Sequence, residues 1–150
     1  MSAEPRLEAL LERDGFLIYK TRGVSMRPLL KEGRDLVTIR TFEGRLKKYD
    51  VPLYRRRDGG YLLHRIIGVK DDHYVIRGDN TFVKEHVPDK ELVGVLVAFK
   101  RKGKDCTVDS RGYRLYAKVW NFIYPVRWLA HKCRRLCGRI KRAIQGRSKG

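Results

Sequence analysis

Residues 51–77 read VPLYRRRDGGYLLHRIIGVKDDHYVIR. Apolar and β-branched runs alternate here with two polar breaks, Asp58-Gly59-Gly60 and Asp71-Asp72, which are good hairpin signals. Strands are predicted at the three apolar runs, Val51–Arg55, Tyr61–Val69 and Tyr74–Arg77. The stretch therefore predicts short antiparallel strands joined by tight turns.

Similar apolar runs lie on both sides of this stretch, at Phe16–Thr21, Leu36–Arg40 and Leu92–Lys100. About seven short strands in 90 residues favour a mainly β, antiparallel domain. Pro5–Arg13 has leucines at helical spacing and is followed by Gly15, so a short N-terminal helix is predicted before the first strand. Ser25–Lys31 contains Pro28 and is predicted to form a turn between two strands.

The pattern changes at Tyr113. Apolar residues then recur at three- and four-residue steps on a basic background, which predicts an amphipathic helix over Tyr113–Gln145. Pro125 is expected to kink or split this helix. The sequence thus divides into a β domain at residues 1–110 and a basic helical tail at 111–150.

Charge is concentrated in that tail. The formal net charge is +18, and twelve Lys and Arg residues lie at 111–150, where no Asp or Glu occurs. Such a tail is expected to bind a polyanion, and its interleaved aromatic residues favour an anionic membrane surface. Nucleic acid is not expected as a partner, because no nucleic-acid reading motif is present. The alternative is a helix packed on its own domain with a solvated basic face.

Targeting and metal-binding signals are not apparent. Met1–Glu12 carries acidic residues and no apolar signal-peptide core, and no apolar run reaches the length of a membrane span. We expect a peripheral protein at the cytoplasmic face of a membrane. Cys106, Cys133 and Cys137 fit no standard zinc or disulfide spacing, so they are predicted to be plain thiols, and no metal or cofactor is predicted.

Two residues are suited to nucleophilic catalysis. A serine in a tight turn, such as Ser25, is held rigidly but needs a base within hydrogen-bond reach. Of the four histidines, only His64 lies inside a strongly apolar run, where it would be fixed in orientation and partly desolvated. From these residues alone, a hydrogen-bonded edge histidine remains the alternative.

Four short motifs occur around these residues in a fixed order: Gly23-Val24-Ser25-Met26-Arg27-Pro28, Gly33-Arg34-Asp35-Leu36-Val37, His64-Arg65-Ile66 and Gly78-Asp79-Asn80. The set resembles the boxes of type I signal peptidases and of the self-cleaving repressors related to them. The resemblance covers about residues 16–100. Many relatives have lysine as the base, whereas the archaeal and endoplasmic-reticulum types have histidine.

The resemblance implies a signal peptidase-type β fold and a serine endopeptidase that cleaves a peptide or protein precursor. Ser25 would be the nucleophile and His64 its general base, with backbone N–H groups holding the oxyanion. Asp79 or Glu85 would orient the imidazole. The alternatives are a turn-capping role for Asp79 and a solvated loop charge for Glu85.

The resemblance implies Gly23, Met26 and Pro28 as substrate-binding candidates, with a shallow pocket that accepts small residues. The alternative for Met26 is ordinary core packing. Gly23 stands where many signal peptidases have a serine that adds to the oxyanion hole. The family's N-terminal membrane anchor is not seen before Ser25, which leaves removal of secretory signal peptides open. Other hypotheses are a self-cleaving regulatory module without a DNA-binding domain and a non-catalytic binding protein of the same fold.

Overall fold

The computed structural model describes residues 7–147, except for the side chains at 141 and 143–147. Within that range nine strands form two antiparallel sheets, with helices before and after them. The predicted fold class is confirmed: mainly β with antiparallel sheets, a short N-terminal helix and C-terminal helical structure.

The first sheet has six strands. They are β1 (Phe16–Lys20), β2 (Leu36–Arg40), β3 (Pro52–Arg55), β4 (Tyr61–Leu63), β8 (Leu92–Arg101) and β9 (Lys104–Thr107). Their spatial order is β1-β2-β8-β3-β4, and β9 pairs with β8. The second sheet consists of β5 (Arg65–Val69), β6 (His73–Arg77) and β7 (Glu85–Pro88) in that order. A single 3-10 turn, Asp89–Glu91, joins β7 to β8.

Helix α1 spans Leu7–Asp14 and ends as the sequence predicts. Gly15 has φ of +73°, a conformation that glycine adopts without strain, and its N–H donates to the carbonyl of Leu11 at 2.8 Å. The predicted start at Pro5 lies outside the described residues.

The prediction of one continuous strand over Tyr61–Val69 is wrong. Strand β4 ends at Leu63 and pairs with β3, whereas β5 begins at Arg65 and pairs with β6 in the other sheet. The chain changes sheets here because Ile66 exchanges backbone hydrogen bonds with Tyr49 and Asp50 instead of continuing along β3. His64 therefore lies at the junction of the two sheets. Strands β7 and β9 were not predicted.

Two apolar clusters fill the space beside the sheets, and β3 contributes to both. Leu53 belongs to the larger cluster and Tyr54 to the smaller one, because neighbouring side chains of a strand point to opposite faces. Full burial of a side chain such as Leu53 contributes about 1.5–3 kcal/mol. The alternation places the Tyr54 hydroxyl beside the junction that carries His64.

The C-terminal part forms helix α2 (Arg111–Phe122) and helix α3 (Tyr124–Arg147). The Ser110 side chain caps α2 by accepting the N–H of Tyr113 at 3.3 Å. The break falls just before Pro125, which confirms the predicted split. Among residues 7–147, no helix has both the length and the apolarity that a bilayer crossing requires. The division between residues 1–110 and 111–150 stays a prediction.

Candidate active site

Ser25 lies on the loop that joins β1 to β2. Backbone hydrogen bonds of 3.1 Å close the base of this loop, from Thr21 to the carbonyl of Asp35 and from Gly33 to the carbonyl of Thr21. Three apolar side chains of the loop are buried in the larger core cluster, Met26, Leu29 and Leu30. Ser25 itself is partly exposed. The loop is thus anchored by its apolar residues and presents its serine toward solvent.

The buried carboxylate of Asp35 supports the same loop. It accepts the backbone N–H of Lys31 at 2.8 Å and two guanidinium bonds from Arg34, at 2.6 and 2.7 Å. The hydrogen bond from Arg34 holds the pKa of Asp35 below its usual range, so the carboxylate stays ionised. These contacts indicate that the Gly33–Val37 segment has a structural role.

The two ring nitrogens of His64 have different surroundings. The residue is only 5% exposed. Its Nδ1 lies 3.0 Å from Oε1 of Glu85 and 3.1 Å from the hydroxyl of Tyr54. Its Nε2 is buried and has no hydrogen-bond partner in the part of the chain that the structure describes. A buried polar atom without a partner is unfavourable, so this nitrogen marks a place where another group can bind.

The partners of Nδ1 determine where the proton lies. An ionised Glu85 carboxylate only accepts hydrogen bonds, so the ring nitrogen that faces it carries the hydrogen. Nε2 then has a free lone pair and can accept a proton. Sequence reasoning found Glu85 through the resemblance but missed Tyr54, because nothing in the local pattern distinguishes this tyrosine from an ordinary core residue.

Burial keeps the imidazole neutral. Desolvation lowers the pKa of His64 below its usual value, and the nearby charge of Glu85 raises it by less. At neutral pH the ring is therefore uncharged, which is the protonation state of a general base.

The loop at residues 78–81 lies against both the Ser25 backbone and His64. A Cβ atom on Gly78 would lie 2.8 Å from the backbone oxygen of Ser25 and 3.1 Å from Nε2 of His64. No side chain fits there, which explains the glycine. The backbone N–H of Asn80 donates to the Ser25 carbonyl at 2.7 Å, and its side chain donates to the carbonyl of Val24 at 3.2 Å. This loop therefore fixes the position of Ser25 relative to His64.

Asp79 contacts a different set of groups from Glu85. Its carboxylate accepts two guanidinium bonds from Arg65, both 2.8 Å long, and the hydroxyl of Tyr116 donates to it at 2.9 Å. Both members of the ion pair are buried. Of the two acids that the sequence suggested for orienting the imidazole, the structure places Glu85 on the ring and Asp79 on Arg65.

Helices α2 and α3 hold the backbone of the same loop. Trp120 Nε1 and Arg127 Nη2 donate to the carbonyl oxygen of Asp79 at 2.9 and 2.7 Å. Tyr113 accepts a hydrogen bond from Arg65 at 3.0 Å. Sequence reasoning missed these residues, because only the folded chain brings them to the Gly78-Asp79-Asn80 box. Helix α2 and the first turn of α3 are therefore part of the support of the site.

A cleft of about 720 Å³ opens beside Ser25. Gly23, Met26 and strand β4 contribute to its lining. Met26 also belongs to the larger core cluster. Pro28 is exposed and lies outside the residues that line this cleft. Among the described side chains, no group of three or more His, Cys, Asp or Glu residues is arranged to hold a metal ion.

In this antiparallel β domain, a turn serine and a buried histidine lie against one loop. Over 71 residues the chain is 32% identical to a curated protein, signal peptidase I V of Bacillus subtilis. The similarity covers 45% of this chain and 42% of that protein, so the chain matches less than half of its relative's length. No protein-family model matches the chain. The distant similarity supports a peptidase-like function.

Proposed function

We propose that the protein is a signal peptidase-like serine endopeptidase that cleaves a precursor peptide or protein, with Ser25 as nucleophile and His64 as general base. The observation that carries this proposal is the buried, unpartnered Nε2 of His64, which lies against the loop that also binds the Ser25 backbone. The similarity to signal peptidase I V supports the same chemistry.

In the proposed reaction, Nε2 of His64 removes the hydroxyl proton while Oγ of Ser25 bonds to the carbonyl carbon of the scissile peptide. The tetrahedral intermediate then collapses, the C–N bond breaks, and the leaving amine takes the proton from Nε2. Water next attacks the acyl-enzyme, with Nε2 again accepting a proton, and the Ser25 hydroxyl is restored. Throughout, the Glu85 carboxylate holds the Nδ1 hydrogen and stabilises the transient imidazolium charge.

Backbone donors are available for the oxyanion. The N–H groups of Ser25 and Met26 make no hydrogen bond with another residue in the described part of the chain. Their position next to the nucleophile suits the developing negative charge of a tetrahedral intermediate. Because Gly23 has no hydroxyl, we propose that the oxyanion hole consists of backbone groups.

Strand β4 offers a surface for an extended substrate. It is an edge strand, paired with β3 on one side, and Tyr61–Leu63 line the cleft immediately before His64. An edge strand can add a peptide as a further strand through main-chain hydrogen bonds. Such a peptide would present its carbonyl carbon between β4 and Ser25, while Met26 limits the pocket to small side chains.

Cleavage of synthetic peptides with alanine before the scissile bond tests the proposal, with products identified by mass spectrometry. We expect wild type to cut after the small residue, and Ser25→Ala and His64→Ala to lose about 1,000-fold or more of kcat/KM. His86→Ala is the matched control, because that imidazole is exposed and contacts His73. Unchanged cleavage by Ser25→Ala would contradict the proposal.

A further inference from the structure

A stripe of large, exposed apolar side chains runs along α2 and α3. We call it the outer stripe, and its members are Leu115, Val119, Phe122, Val126, Leu129, Leu136 and Ile140. They recur at steps of three, four or seven residues, so they lie along one face of the helices. All are exposed, with Phe122 at 85% and Val126 at 70%.

Other side chains of α2 make the hydrogen bonds to the β domain. Tyr113, Tyr116 and Trp120 point to Arg65 and Asp79. An exposed apolar surface of this length indicates a binding site for another molecule.

Basic side chains that form no ion pair with an acid flank the outer stripe in the described part of the helices. Lys118, Lys132 and Arg139 lie three or four residues from its members, and residues 111–150 contain no acid. Among the basic side chains described between 118 and 139, no ion pair with an acid forms. Lys132 instead lies 4.0 Å from the ring centroid of Trp128, a pairing of basic and aromatic residues that suits a membrane interface.

We propose that α2 and α3 dock on an anionic membrane surface, with the outer stripe in the interface and the flanking Lys and Arg side chains on lipid headgroups. The combination of an apolar face and a basic border fits this occupant. Two copies paired through the stripe would bring together strongly positive helices that lack the acids needed for interhelical ion pairs. Nucleic acid would neutralise the charges but leave the stripe in water.

Vesicle flotation with the full chain tests this proposal, using phosphatidylcholine vesicles with and without about one-third phosphatidylglycerol. We expect binding to the anionic vesicles only. Replacing Phe122 and Val126 by serine together should weaken binding about tenfold or more. The double variant Lys132→Gln, Arg139→Gln should weaken vesicle binding about fivefold for each replaced residue. Val83→Ser, at an exposed apolar residue outside the helices, is the matched control and should bind as wild type does.

Three results would overturn the proposal. The first is no binding of wild type to anionic vesicles, and the second is binding by the Phe122 and Val126 double variant that equals wild type. The third is a dimer that wild type forms without vesicles and that the double variant does not form. Salt-sensitive binding to a nucleic-acid duplex that is tighter than vesicle binding and unaffected by the double variant would also overturn it. The proposal does not depend on catalysis by Ser25, so peptide cleavage and vesicle binding can fail separately.

Discussion

The two nitrogens of His64 face two regions that hold the site in different ways. On the Nδ1 side, strand β7 supplies the Glu85 carboxylate, which contacts the ring directly at 3.0 Å. On the Nε2 side, the loop at residues 78–81 supplies backbone: Gly78 leaves space beside the nitrogen, and Asn80 binds the carbonyl of Ser25. The acid of that loop, Asp79, points to Arg65 and helix α2.

This difference assigns two tasks to two neighbouring acids. Glu85 contacts the imidazole that would act as base, whereas Asp79 binds Arg65 and supports the loop at residues 78–81. Loss of Glu85 should therefore change the chemistry of a folded protein. Loss of Asp79 should first change the stability of the protein. Measurements of stability and of cleavage separate these two outcomes.

The largest effect is expected at the buried ion pair. Asp79→Ala leaves the guanidinium of Arg65 buried without its partner, and breaking such a pair lowers the free energy of unfolding by about 3–5 kcal/mol. Urea denaturation measures this loss. Asp89→Ala is the matched control, because its pair with Arg45 is exposed and should contribute less than about 1 kcal/mol. Equal losses in the two variants would contradict the structural role of Asp79.

The next effect is expected at Glu85. Glu85→Gln can turn an amide N–H toward Nδ1 and so favour the wrong tautomer, which should lower kcat/KM by about 100-fold with little change in KM. The Glu85 charge raises the pKa of His64, so its removal lowers that pKa further. Because a general base acts when unprotonated, the acidic limb of the residual pH–rate profile should move to lower pH.

Wild type itself should show an acidic limb below the usual pKa of histidine, about 6.5, because burial is the largest influence on His64. A limb that rises only above about pH 9 would remove His64 from the role of base. A Glu85→Gln variant with lower unfolding free energy but an unmoved pH profile would place Glu85 in a structural role instead.

A smaller effect is expected at Gly78, where the loop at residues 78–81 lies against Ser25 and His64. In Gly78→Ala the new methyl group would lie 2.8 Å from the Ser25 oxygen, so the loop must shift. Overpacking of this kind destabilises by about 1–3 kcal/mol, and peptide cleavage should fall because Ser25 and His64 separate. Gly112→Ala, which has open space around the added methyl, should cleave peptides as wild type does. Full activity in Gly78→Ala would contradict the close approach.

The smallest effect is expected in the helices. Trp120→Phe removes one of two donors to the Asp79 carbonyl, which should lower the free energy of unfolding by about 0.5–1.5 kcal/mol. Removing the second donor with Arg127→Gln should lower it further and should reduce kcat more than it raises KM. If the double variant cleaves peptides as fast as wild type, the helices do not position the loop.

Ser25 and His64 can be proposed from the sequence because they lie in short local motifs. Ser25 and His64 appear in boxes whose order and spacing are visible along the chain. The β fold can also be predicted from the sequence, because turn residues separate its apolar runs. The change of sheet at His64 is hidden, since Tyr61–Leu63 and Arg65–Val69 are both apolar enough for one strand and differ only in their pairing partners.

The supporting residues depend on tertiary contacts that no local pattern records. The resemblance left Asp79 and Glu85 as alternatives, because Asp79 lies in the Gly78-Asp79-Asn80 box and Glu85 follows it by six residues. The choice follows from Arg65, which binds one of them. Tyr54 and Trp120 are separated by 10 and 41 residues from their partners His64 and Asp79, so their roles emerge only in the folded chain.

The most direct test of the Ser25 and His64 assignment is labelling of the full chain with a serine-directed acylating probe, read by intact mass and peptide mapping. One adduct on Ser25 is predicted in wild type, none in Ser25→Ala, and a much slower one in His64→Ala. Ser110→Ala, which removes a helix cap, should label as wild type does. Equal labelling of Ser25→Ala, or an unlabelled wild type, would contradict the assignment.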